Sequence, residues 1–226
     1  MAGDRAGGLR TGPELLTTDE LLAPEDLLRD AIVSGRFQPN EHLVEAEVGR
    51  LLGVGRAAVR TALARLQQEG LVQHEPNRGS RVRLVEPREA VEILEGRAVL
   101  EGMAARHAAS RRGAQDIAEL RGIIEDMRGR LDRDDLLGAS EGNALLHRRL
   151  TEISRHRTAA RLISALNSQL VRYQYRTILL PGRSERSFAE HEAIVEAVAL
   201  GDPDAAESAM RTHLSHVAQA LREEAG

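Results

Sequence analysis

The chain has 226 residues, 42% hydrophobic and 29% charged, enough apolar material for one large or two modest domains with a real core. It contains no cysteine, which excludes a disulfide framework and a thiol nucleophile, and its 2% aromatic content leaves Leu, Val, Ile and Ala to fill the core, a mix that favours helix packed on helix. The N-terminus shows no apolar signal core, and no run approaches the roughly 18 apolar residues of a membrane span, so the expectation is a cytoplasmic protein with no membrane partner. The net charge of -4 argues against a nucleic-acid partner only as an average. All 31 basic residues are arginine, and between Arg50 and Val85 seven of them face two acids, Glu69 and Glu75. Phosphate attraction acts over about a Debye length, roughly 8 Å in physiological salt, so this local excess outweighs the total.

Residues 1–22 are Gly-rich and polar at first and read as a tail. Pro24 suits the first turn of a helix whose apolar stripe is Leu27, Leu28, Ala31 and Ile32 and which stops at Gly35. Phe37 to Asn40 read as a turn, and in a second helix Val44, Val48, Leu51 and Leu52 are expected to face inward, with Gly53 as left-handed C-cap. A third helix begins after Gly55. Its buried stripe is Val59, Ala62, Leu63 and Leu66, while Arg56 and Arg60, four apart, project from another face beside Ala57 and Ala64. Leu71 to His74 and Arg81 to Leu84 then read as a hairpin around Asn77, Arg78 and Gly79. Helix, tight turn, helix and hairpin make a winged helix-turn-helix, in which the third helix enters the DNA major groove and the wing tip reaches phosphate or the minor groove. The alternative for Arg56 and Arg60 is a solvated pair on an ordinary helix, and for Arg78 a plain hairpin tip.

From Pro87 onward the pattern is helical throughout. Helices are expected near 87–110, 114–131, 134–154, 158–180, 185–200 and 202–223, with breaks at Gly113, Arg133 to Asp135, Arg155 to Arg157, Pro181-Gly182 and Gly201 to Pro203. The fold class is mostly α: a tail over 1–22, a winged helix-turn-helix over 23–85 and an all-α bundle over 86–226.

Three histidines of the second unit border apolar stripes. Asn143 and His147 share one helix face, His191 starts the stripe Ile194, Val195 and Val198, and His213 follows Ala206, Ala209 and Met210. Three imidazoles and one side-chain oxygen suit a divalent metal, whereas a histidine on an apolar face is often only packed, and spacing does not choose between these. His216, one turn beyond His213, is a decoy or a reserve ligand. Arg97 lies among Ile93, Leu94, Ala98, Leu100 and Ala104, and a half-buried arginine needs an anion: Glu101, four residues on, or the carboxylate of a ligand. His191-Glu192 begins the zinc-protease pattern H-E-x-x-H, but position 195 is Val, and no other nucleophile and base arrangement stands out.

Residues 27–85 resemble the GntR-type winged helix, through Leu28 to Gly35, Leu52 to Leu63, Glu69 to Val72 and Asn77-Arg78-Gly79. Residues 87–223 resemble the FCD domain of the FadR subfamily in its six-helix, VanR-like form, through Arg97 to Glu101, Asn143 with His147, His191 to Val198, and Met210 to Leu214. The resemblance implies a dimeric transcription regulator, usually a repressor and not an enzyme, that binds double-stranded operator DNA and responds to a small organic acid. It places DNA contacts on Gly55, Arg56, Ala57, Arg60, Asn77, Arg78 and Gly79, and the effector contact on Arg97. It also implies a divalent metal, zinc foremost with nickel or another transition metal as alternatives, on Asn143, His147, His191 and His213. The chain departs from the family pattern where Gly55 and Ala57 replace hydroxyl residues that bond phosphate, where Ala46 stands for an arginine on the second helix, and where Asn143 replaces the common Asp.

Overall fold

The computed structural model describes residues 23–76, 78–170, 173, 180 and 182–225. The expected tail over 1–22 and the wing-tip residue Asn77 lie outside the described residues.

The N-terminal unit is built on α1 (Pro24–Val33), α2 (Glu45–Leu52) and α3 (Arg56–Gln68). Pro24 occupies the first turn of α1, where its missing N–H costs nothing. Gly53 ends α2 in the left-handed conformation (φ 68), as a helix that must reverse within three residues requires. Val59, Ala62, Leu63 and Leu66 of α3 are all buried, and with Leu28, Ile32, Val48 and the strand residues they form one apolar core. Truncating the fully buried Leu66 to Ala is expected to cost about 2–5 kcal/mol.

Three details differ from the sequence reading. A short strand β1 (His42–Leu43) follows the turn and pairs antiparallel with β3 (Gly79–Val82), which also pairs with β2 (Val72–Glu75), giving the order β1-β3-β2. Two residues are too few to show a period-2 pattern, so β1 was invisible in sequence. Because that strand precedes α2, Val44 becomes the extended N-cap of the helix and is 49% exposed rather than inward-facing. The hairpin register is Val72↔Val82, Gln73↔Arg81, His74↔Ser80 and Glu75↔Gly79, so Arg83 and Leu84 fall outside the ladder.

The second unit consists, among the described residues, of α4 (Pro87–Arg111), α5 (Ala114–Leu131), α6 (Leu136–Ile153), α7 (Arg157–Gln169), α8 (Arg183–Leu200) and α9 (Pro203–Ala225). The expected helix over 158–180 ends at Gln169; beyond it, 171–179 lie outside the described residues except Tyr173. Local chemistry sets the starts. The Asp135 carboxylate accepts from the Gly138 N–H at 2.9 Å to cap α6, and Asp202 accepts from Ala205 N–H at 3.0 Å just before Pro203 of α9. The long helix α4 packs along α9 and also touches α6, α7 and α8, while α5 packs on α6 and α8. The bundle core runs through Leu94, Leu146, Leu150, Ile194, Met210 and Leu214, and shares no residue with the core of the N-terminal unit.

Candidate functional site

The exposed face of α3 and the hairpin tip carry the first set of functional side chains. Gly55 is the extended N-cap of α3 and makes no side-chain cap; a Cβ there would meet nothing within 4 Å, so no steric demand explains the glycine. Arg56, Ala57 and Arg60 are all exposed, as are Arg78 and Gly79 at the tip. The seven arginines between Arg50 and Val85 are not equally available. Arg60 Nε donates to both carboxylate oxygens of Glu45 on α2 at 3.0 Å. Arg65 pairs with Glu25, Arg81 bonds Glu75 and Asn40 at 2.7 Å, and Arg83 pairs with Glu89. Of these seven, Arg50, Arg56 and Arg78 keep guanidinium groups without an ion pair. The free positive charge therefore lies at the N-terminus of α3, the end of α2 and the wing tip, where a duplex would meet it.

The second set is buried. His147 of α6, His191 of α8 and His213 of α9 converge so that one ligand atom from each lies within 4.8 Å of the others. Their Nδ1 atoms show which nitrogens face inward. His147 Nδ1 lies 2.5 Å from Glu101 Oε2, and His213 Nδ1 lies 2.7 Å from Glu190 Oε2, so both carboxylates turn the Nε2 atoms toward the centre. His191 Nε2 sits 3.3 Å from His213 Nε2. Two nitrogens each about 2.1 Å from one ion at a tetrahedral angle would lie roughly 3.4 Å apart. The buried Oδ1 of Asn143, one helical turn before His147, has no hydrogen-bond partner among the described residues, and Asn143 lines the same cavity as the three histidines.

Electrostatics favour ligation. Burial drives His191 well below the ordinary histidine range, reinforced by His213, His147 and Arg183. Burial also holds His213 down at about 4, against the opposing pull of Glu190. Both are neutral at pH 7 and offer lone pairs. Burial pushes the Glu101 carboxyl up, but Arg97 and His147 outweigh it and hold it at about 2. Glu190 reaches about 2 in the same way, burial being overcome by His213, His216 and Arg183.

The cavity has a volume of about 180 Å³. Arg97 lines it while its Nε donates to Glu101 Oε1 at 2.6 Å, so the two partners that sequence left open are not exclusive: Glu101 takes one edge of the guanidinium, and the side chain still borders the cavity. His216 is half-exposed and bonds Glu190 Oε1 at 2.8 Å, so it steadies a carboxylate and is no member of the cluster. Sequence reasoning passed over Glu190, Arg183 and Asn167. Arg183 is buried and donates to Glu190 Oε2 at 3.0 Å, and Asn167 brings a second unpartnered buried Oδ1 to the cavity. The one sequence signal for Glu190 was its place directly before His191.

Residues 25–82 match the bacterial regulatory proteins of the gntR family, and residues 92–216 match the FCD domain. The chain belongs to the GntR family of transcription regulators, with an FCD domain. An HTH-type transcriptional regulator in an unstable DNA locus of Streptomyces ambofaciens is 32% identical over 192 residues, 84% of this chain and 80% of that protein. The HTH-type transcriptional repressor RspR of Escherichia coli K12 is 29% identical over 197 residues, 87% of this chain and 86% of that protein. Among solved structures, E. coli McbR/YncC shares the fold with a TM-score of 0.75 at 20% identity, covering 90% of this chain and 97% of that one. The GntR–FCD chain is thus a DNA-binding transcription regulator with an effector-binding domain, and not a hydrolase. No helix among the described residues is long and apolar enough to cross a membrane.

Proposed function

We propose that this regulator is a repressor that binds a pseudo-palindromic operator as a homodimer and is released or repositioned by a small carboxylate bound beside a divalent metal. The DNA-binding unit in this reading is 23–85, the effector and dimerisation unit 86–226. Arg56 and Arg60 meet base edges or phosphates from the first turns of α3, with Gly55 and Ala57 allowing close approach, and the wing adds Arg78 beside Asn77 and Gly79. His147, His191 and His213 hold the metal through Nε2, with Asn143 Oδ1 as the fourth donor; zinc suits three imidazoles and one oxygen, and nickel or another transition metal is the alternative. Bound there, the ion would supply a Lewis-acid contact to the effector. The observation that carries this reading is the unpartnered Asn143 Oδ1 in the cavity where three histidines converge, two of them oriented by carboxylates.

Arg97 borders the same cavity and offers its remaining N–H groups to an effector carboxylate. At about 180 Å³ the cavity is smaller than the roughly 300–1,000 Å³ of drug-sized sites, which favours a small acid. Effector binding that differs in strength between two placements of the heads shifts their population, and the shift is limited by that difference.

Gel shifts against the DNA flanking the gene test the first half. Salt-sensitive, sequence-selective binding that weakens about tenfold in Arg56→Ala is expected; no selective binding, or none that depends on Arg56 or Arg60, rejects the operator reading. Metal analysis of purified wild type against His147→Ala tests the second half. Equal metal content in the two would leave the histidines as packing residues only.

A further inference from the structure

The C-terminal end of α7 touches the cavity and the DNA-binding unit at once. Asn167 and Leu170 line the cavity, as does Tyr173 one turn later. Gln169, between them, points to the opposite side. Its Nε2 donates at 2.9 Å to the carbonyl of Glu69, the C-cap of recognition helix α3, and its Oε1 accepts from Arg83 Nη1 at 2.8 Å, one residue beyond β3. The Glu69 side chain in turn takes both Nε and Nη2 of Arg29, at 3.0 and 2.8 Å, which ties that same corner to α1. Gly70 is in the left-handed region (φ +76), and a Cβ there would come within 3.0 Å of the Gln169 amide, so the bracket needs a glycine twice over. Tyr173 adds a second tie, donating its hydroxyl to the carbonyl of Val85 at 2.8 Å.

We propose that this helix end is the coupling element between cavity and DNA, and that Gln169 is the positioning residue that passes a shift at Asn167 and Leu170 to the base of the recognition helix. The proposal rests on the reading of the cavity as the ligand and metal site. Three observations favour this route. The two apolar cores share no residue, and the contact at Gln169 is made by directional hydrogen bonds, which fail over displacements that apolar packing tolerates. A cleft of about 490 Å³ lies beside the bracket, lined by Phe37, Gln38, Pro39, Arg83 and Gln169 among others, so this side of the bracket is not tightly packed. The buried, unpartnered Oδ1 of Asn167 gives a ligand donor a reason to engage this helix end. The competing route is the covalent one, from Arg97 along α4 to β3, and it does not pass through Gln169.

Hydrogen exchange of the full chain separates the two routes, with the amides of 69–71, which bond back to α3, as reporters. Two perturbations are applied to metal-stripped protein: Zn²⁺ alone, and the substitution Asn167→Leu, each in the wild-type and the Gln169→Ala background. Each perturbation is expected to change exchange at 69–71 by about threefold or more in the wild-type background and by less than about twofold with Gln169→Ala, while the response around His147 and His191 is unchanged. A residue with a merely structural role would raise the basal exchange at 69–71 and leave that ratio intact. Equal responses in the two backgrounds overturn the proposal. If Zn²⁺ leaves the amides around His147 and His191 unaffected, the metal reading fails, and the Asn167→Leu arm alone decides the coupling.

Discussion

In the DNA-binding unit Arg56, Arg60 and Arg78 stand in water outside a small apolar core, whereas in the bundle Glu101, His147, His191 and His213 are enclosed by one. An exposed guanidinium keeps its hydration and contributes little to folding, so it remains available to a phosphate. A buried charge must be matched where it sits: Glu101 takes Arg97 on one oxygen and His147 on the other, and Glu190 takes Arg183, His213 and His216. Substitutions of these exposed arginines should therefore change binding and spare folding, and those of the buried charged cluster should change both.

The sharpest test of that contrast is Glu101→Ala, which strands a partly buried guanidinium and a buried imidazole. Denaturant titration should show a loss of about 3–5 kcal/mol, against no measurable loss for Arg56→Ala. Similar losses in the two variants would erase the distinction.

Acid should act on the bundle in the same direction. His213 is held near 4 in the fold against an ordinary 6.5, so below 6.5 the unfolded chain takes up a proton that the folded chain refuses, and stability falls as pH drops toward 4, by roughly 3 kcal/mol. Glu101 and Glu190, held at about 2, add stability that is full above about 4.5 and lost as pH falls through 2. Thermal melts of metal-stripped protein should change little between pH 8 and about 6.5 and move downward from there to pH 4, and a flat profile down to pH 4 would contradict the burial of His213.

Glu190→Gln keeps the shape of the side chain but weakens its hold on His213 Nδ1. Calorimetric titration with Zn²⁺ should show affinity lower by about 10–100-fold. Unchanged affinity would mean that His213 needs no orientation from that carboxylate.

The smallest expected effect is a gain. Glu45→Gln frees the exposed Arg60 from its ion pair, so operator affinity should rise about two- to threefold in low salt and lose the advantage as salt screens it. A fall in affinity would show that Glu45 holds Arg60 in its DNA-ready position.

The sequence by itself determined the helix pattern, the turn at Gly53, the buried stripe of α3 and the faces on which Asn143, His147, His191 and His213 lie. These follow from local periodicity and cap chemistry, which need only neighbours within a few residues. Strand β1 escaped, because two residues carry no period and their pairing partner is Ser80-Arg81, far along the chain. The tertiary structure alone decided which charges are spent: nothing in the spacing shows that Glu45 reaches Arg60, or that Glu190 serves His213 and His216 and not its neighbour His191. It also decided that Gln169 meets Glu69, a contact across 100 positions of sequence. Such pairings depend on how helices cross, and crossing geometry is set by packing over the whole core, which one-dimensional spacing does not contain.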